Sequence, residues 1–124
     1  VREAGEGPPL VLIHGLLSSH GEWSEELVSE LARRFRVLAV DRPGHGLSAR
    51  RRFAASPRLQ AEQILTGLER LTDRPLLLVG HSFGGLVALM MEQQARARVA
   101  GLVLLAPLCF PEWRVIEQGY LGPR

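Results

Sequence analysis

The chain has one cysteine, Cys109, no lysine, and neither a histidine nor an aspartate in the 42 residues after Ser82. One thiol forms no internal disulfide, so a disulfide-stapled scaffold is excluded, and within its apolar run Cys109 reads as a small buried hydrophobe. All 15 cationic side chains are arginines, set against 11 glutamates and 2 aspartates for a net charge of +2. They are spread along the chain, which argues against a nucleic-acid footprint. The tight cluster Arg50-Arg51-Arg52 follows Ser48-Ala49 without apolar periodicity and reads as a solvated loop. Long apolar runs are missing too. The stretch from Val99 to Phe110 is 12 residues with Gly101 and Pro107 inside it, short of the roughly 20 that span a bilayer. With no initiator methionine and no targeting segment in view, a cytoplasmic location is the expectation. His14, His20, His45 and His81 share no ligand spacing on one element, so no metal site is expected.

What is present is an alternation of short apolar runs with amphipathic stretches. Leu10-Val11-Leu12-Ile13 leads into His14-Gly15, the pattern of a strand buried on both faces and stopped at a glycine turn. Trp23, Leu27, Val28, Leu31 and Phe35 recur at helical spacing, with Glu22, Glu25, Glu26 and Glu30 early and Arg33 and Arg34 late, as a helix dipole favours. Val37 to Val40 predicts a second strand, broken at Asp41-Arg42-Pro43-Gly44. Ser56-Pro57 is a cap followed by proline at the first helical position, and Leu59, Ile64, Leu65, Leu68 and Leu71 form a stripe beyond it. Leu76 to Val79 is a third strand, Phe83 to Ala95 a third helix, and Val99 to Ala106 a fourth strand. The order β-α-β-α-β-α-β predicts an α/β fold: a parallel sheet with right-handed crossovers and helices on both faces.

The third strand runs straight into Gly80-His81-Ser82-Phe83-Gly84, the G-x-S-x-G pattern of a nucleophile elbow. A serine hydroxyl is a weak nucleophile, so it must be exposed, deprotonated by a base, and faced by donors for the oxyanion that develops. So tight a strand-to-helix turn needs small neighbours, which Gly80, Gly84 and Gly85 supply. The oxyanion donors expected are the backbone N–H of Phe83 and that of Leu16, in the loop after the first strand. Two nucleotide-site patterns fail on context. Gly44 to Ala49 matches G-x-G-x-x-A but opens no helix, and no strand-end acid lies about 20 residues on. Gly80 to Gly85 has Leu86 where a phosphate loop has lysine.

With His14-Gly15 after one strand, Asp41-Arg42-Pro43-Gly44-His45-Gly46 after the next and Gly80 to Gly85 after the third, the chain resembles the α/β-hydrolase superfamily. It is most similar to the serine esterases and lipases, since the dehalogenase and epoxide-hydrolase branches place an aspartate where Ser82 stands. The resemblance implies Ser82 as nucleophile, Leu16 and Phe83 as oxyanion-hole residues, Gly80 and Gly84 as elbow glycines, acyl transfer without a cofactor, and a small apolar ester or acyl substrate. It also implies a histidine and an acid from later strands, which have no counterpart here. His14 and His45 belong to loops, His20 precedes the first helix, and His81 should point away from the serine. Glu92, Glu112 and Glu117, the acids after Ser82, read as solvated charges. Residues 1–107 are therefore expected to be the N-terminal part of the core domain. Residues 108–124 are expected to root a lid cut short, and the 124 residues alone to be inactive. Leu17, Phe83 and Phe110 are candidates for an apolar pocket wall. The rival reading is a non-catalytic binding or interaction module of the same fold, and nothing in the sequence sets an oligomeric state.

Overall fold

A computed structural model describes residues 1–15, 20–41 and 56–106. They form β1 (Arg2–Ala4), β2 (Pro9–Ile13), α1 (Glu25–Leu31), β3 (Arg36–Val40), α2 (Pro57–Glu69), β4 (Leu76–His81), α3 (Phe83–Gln94) and β5 (Val99–Leu105), with single 3-10 turns at His20–Glu22 and Arg96–Arg98. The strands make one five-stranded sheet in the order β1-β3-β2-β4-β5. Strands β3, β2, β4 and β5 run parallel. All of β2 is buried, as a central parallel strand covered on both faces must be.

Helices cover both faces. On one, Ala61, Ile64, Leu65 and Leu68 of α2 and Leu86, Val87 and Met91 of α3 pack on Val11, Ile13, Leu38, Val40, Leu76 and Leu78. On the other, Trp23 and Val28 pack on Leu10, Leu12, Val37 and Ala39. Alternate residues of β2 and β3 thus serve opposite cores, the period-2 consequence of the pleat. Among the described residues, no helix is long and apolar enough to cross a membrane.

Ser24 and Ser56 start α1 and α2 with extended backbone, and each hydroxyl accepts from the N–H three residues on, at 3.1 and 3.5 Å. These are ordinary serine caps. The helical stripes are shorter than the sequence pattern indicates. Helix α1 stops at Leu31, and Phe35 reaches the same core from beyond the helix. Leu27 is 41% exposed, and Leu71 lies past the end of α2.

The sheet also has a strand that the pattern does not predict. β1 pairs antiparallel with β3, so the sheet is mixed rather than wholly parallel. Arg2-Glu3-Ala4 carries no apolar alternation. Its strand is held by the backbone ladder and by ion pairs, Arg36 Nε to Glu3 at 2.6 Å and Arg2 to Glu25 at 2.6 Å. The hydrogen bond from Arg36, aided by its charge and opposed by slight desolvation, holds the Glu3 carboxyl below its ordinary value of 4.5. A depressed folded-state value means stability that is present above the ordinary carboxylate range and lost as pH falls through the folded value. Glu3→Gln is therefore expected to cost a small amount of stability at pH 7. That difference should shrink towards nothing below the carboxylate range in paired urea titrations, because an exposed pair is weak.

Candidate active site

The parallel strands bring their carboxyl ends to one edge of the sheet, where open α/β sheets bind ligands. His14-Gly15 follows β2, Asp41 follows β3, Ser82 follows β4 and Ala106 follows β5. The two non-glycine residues with positive φ among those described both lie on this edge, Ser82 at φ 55° and Ala106 at φ 45°. Such backbone conformations cost energy and cluster at functional sites.

Ser82 joins β4 to α3 with φ 55° and ψ −119°, the conformation of the first central residue of a type II′ turn, where glycine dominates. Its N–H donates to Leu105 O at 2.9 Å and its carbonyl accepts from Gly85 N at 2.9 Å, so the turn is fixed from both sides. Its hydroxyl makes no capping hydrogen bond to α3. The contrast with Ser24 and Ser56 is direct: of three serines at helix starts, the two with extended backbone spend their hydroxyls on capping and the strained one does not. Ser82 is half-buried, with Oγ uncommitted to the helix.

The glycines let backbone approach backbone. A Cβ on Gly84 would collide with the carbonyl oxygens of Ile13 and His14, so the first turn of α3 rests on the end of β2. A Cβ on Gly80 would collide with Gly84 O and sit 2.6 Å from Gly85 Cα. Phe83 opens α3 with its side chain 2% exposed in the core, which makes it core packing rather than pocket wall. Its backbone N–H lies in the first turn of α3.

Among the described residues, His14 and His81 each have a side-chain hydrogen bond. His14 is fully buried with Nδ1 2.8 Å from Gly15 O; a carbonyl only accepts, so Nδ1 carries the proton. His81 gives Nδ1 to Glu22 Oε2 at 3.0 Å, and its ring stands edge-on to Trp23 with centroids 6.4 Å apart. Glu22 is the residue that sequence reasoning misassigned. It precedes the cap of α1 instead of sitting in that helix, and both its carboxylate oxygens also lie 3.2 Å from Gly15 N. Beside it, Trp23 Nε1 is buried without a hydrogen-bond partner among the described residues.

Leu16, Leu17, His45, Cys109, Phe110 and the 108–124 segment lie outside the described residues. Among the described residues, no group of three or more His, Cys, Asp or Glu side chains is placed to hold a metal ion.

A family described as alpha/beta hydrolase fold matches residues 8–122. The chain is 39% identical over 111 residues to a pimeloyl-[acyl-carrier protein] methyl ester esterase of Nitrosomonas europaea, covering 89% of this chain and 42% of that protein. It is 39% identical over 101 residues to a magnesium-chelatase 30 kDa subunit of Rhodobacter capsulatus, covering 78% of this chain and 34% of the relative. The crystal structure of the N-acyl homoserine lactonase AidH, complexed with N-butanoyl homoserine, superposes with a TM-score of 0.78 at 30% identity, covering 86% of this chain and 40% of that one. The chain thus spans less than half the length of each.

Proposed function

The chain belongs to the α/β-hydrolase fold family, and on that footing we propose that it carries the nucleophile half of a serine hydrolase acting on esters or related acyl substrates. The observation that carries the reading is the Ser82 hydroxyl, held on a strained turn at the carboxyl end of the parallel strands and not spent on capping. A protein that needed only a turn there would find glycine less costly. That the chain is similar to a methyl ester esterase and to a lactonase favours attack on an acyl carbon bonded to oxygen.

In this reading Ser82 Oγ attacks the substrate carbonyl carbon while a base takes its proton. The N–H of Phe83 and that of Leu16 stabilise the tetrahedral oxyanion, the alcohol leaves with a proton, and water releases the acid from the acyl-enzyme. Neither His14 nor His81 is assigned as that base: His14 is fully buried with Nδ1 on Gly15 O, and His81 is the residue directly before Ser82 in the elbow. The base and its acid are assigned to the share of the family domain that these 124 residues do not span. Residues 108–124 are assigned to the root of a lid that would shape an apolar acyl pocket.

The complete gene product is expected to hydrolyse p-nitrophenyl butyrate and to take one fluorophosphonate group, located by peptide mass spectrometry on Ser82, with turnover lost in step. A label on another residue, or turnover that survives full labelling, contradicts the assignment. A folded product with neither label nor turnover is the binding module instead.

A further inference from the structure

Glu22 reaches across 59 positions of sequence to His81, the residue directly before Ser82, and the same carboxylate accepts from the backbone of Gly15 at the end of β2. We infer that Glu22 is a positioning residue, a clamp that fixes Gly15, at the end of β2, against the elbow. The inference rests on the hydrolase reading for its catalytic consequence, and on geometry for the clamp itself.

Three observations make the clamp more than a surface contact. First, its frame is rigid. Glu22 ends a 3-10 turn, Trp23 beside it is buried in the α1-side core, and Ser24 caps α1. The carboxylate is therefore presented from an anchored segment, with its side chain 22% exposed. Second, His81 is held from two directions, by the Glu22 carboxylate at Nδ1 and by the edge-on ring of Trp23. A carboxylate accepts and the imidazole N–H donates, so the contact orients the ring. Third, the space between the parts is closed. A Cβ on Gly15 would lie 3.3 Å from Glu22 Oε1, 3.4 Å from His81 Nδ1 and 3.4 Å from Ser82 Cβ. Gly15, Glu22, His81 and Ser82 thus meet around one point, from three separate segments of chain.

The chemical consequence concerns the oxyanion donor. Oxyanion stabilisation depends on donors fixed before charge develops, and Gly15 is the chain neighbour of Leu16, the donor proposed above. Because Glu22 accepts from Gly15 N–H, the backbone at the end of β2 is tied to the residue that also holds His81. Releasing the clamp would let Gly15 shift while leaving the nucleophile and its turn intact. The expected signature is a fall in kcat with little change in KM, since the lost interaction is one made in the transition state.

The test uses Glu22→Gln, which keeps the volume but offers one acceptor for two donors, with Glu22→Ala as the larger change. In the complete gene product, Glu22→Gln should lower kcat for p-nitrophenyl butyrate about 10- to 100-fold with KM within about twofold, the scale of a small misplacement. By NMR, the Gly15 amide should exchange at least about tenfold faster and the His81 Nδ1–H signal should be lost, while distant amides keep their protection. Glu25→Gln, on the exposed pair with Arg2, should leave both readouts unchanged. A rise in KM alone, a kcat loss no larger than the loss of folded protein, or an unchanged Gly15 exchange rate overturns the clamp. If wild-type protein neither turns over ester nor takes the phosphonate, the hydrolase reading fails and the clamp is judged on Gly15 exchange alone: faster exchange in Glu22→Gln keeps it, and an unchanged rate overturns it.

Discussion

Gly84→Ala is expected to cost the domain about 3 kcal/mol or more, at or beyond the usual upper range for overpacking, and to show itself as loss of soluble protein or a large drop in urea midpoint. The added methyl would meet the carbonyl oxygens of Ile13 and His14, and neither belongs to a side chain that could turn aside. Relief requires moving α3 away from the end of β2, and α3 contributes Leu86, Val87, Ala88 and Met91 to the larger core. With total stabilities near 5–15 kcal/mol, such a loss removes a large share of the folded population. Gly67→Ala is the control within the same fold. Gly67 sits inside α2, and a Cβ there would have nothing within 4 Å, so the same substitution should stabilise by roughly 0.5–1 kcal/mol through helix propensity. If both changes cost little, α3 is not seated on β2 as described.

Much of this was legible in the sequence, for physical reasons that differ by element. Strands β2, β3 and β4 announce themselves because central parallel strands must be apolar on both faces, β5 because its run is as apolar although it lies at the sheet edge with Val103 and Leu105 exposed, and α2 because Ser56-Pro57 states where it begins. The elbow was legible because a close approach leaves glycine no substitute. β1 was not, since its three residues bury no alternating face and depend on Arg36 and Glu25, remote in sequence. Nor was Glu22. A glutamate one residue before a buried tryptophan and three before a helix resembles an N-terminal helix acid, and only the sheet's topology brings Gly15 and His81 to it. Composition and period report what a residue does for its own element; contacts that join the ends of different strands leave no local mark.

Ser82 separates strain from chemistry in a pair of substitutions. Ser82→Ala keeps the Cβ and with it the cost of φ 55°, and removes no capping bond because none exists, so stability should stay within about 0.5 kcal/mol of wild type. If Ser82 is the nucleophile, kcat of the complete gene product should fall by about 10⁴- to 10⁶-fold, the range seen when a triad nucleophile is lost. Ser82→Gly should lose activity equally but gain stability. Strain at such a position costs roughly 1–3 kcal/mol, against up to about 1 kcal/mol for the extra freedom glycine brings to the unfolded chain. A net gain near 1 kcal/mol would raise Tm by several degrees in calorimetry. The two variants then differ in stability while matching in turnover. Such a result assigns the strain to the presence of a side chain at this turn and the activity to its hydroxyl. Ser82→Ala with turnover within tenfold of wild type would remove Ser82 from the reaction. Ser82→Gly with a lower Tm would mean that the turn stores no strain, and that the uncommitted hydroxyl needs another explanation.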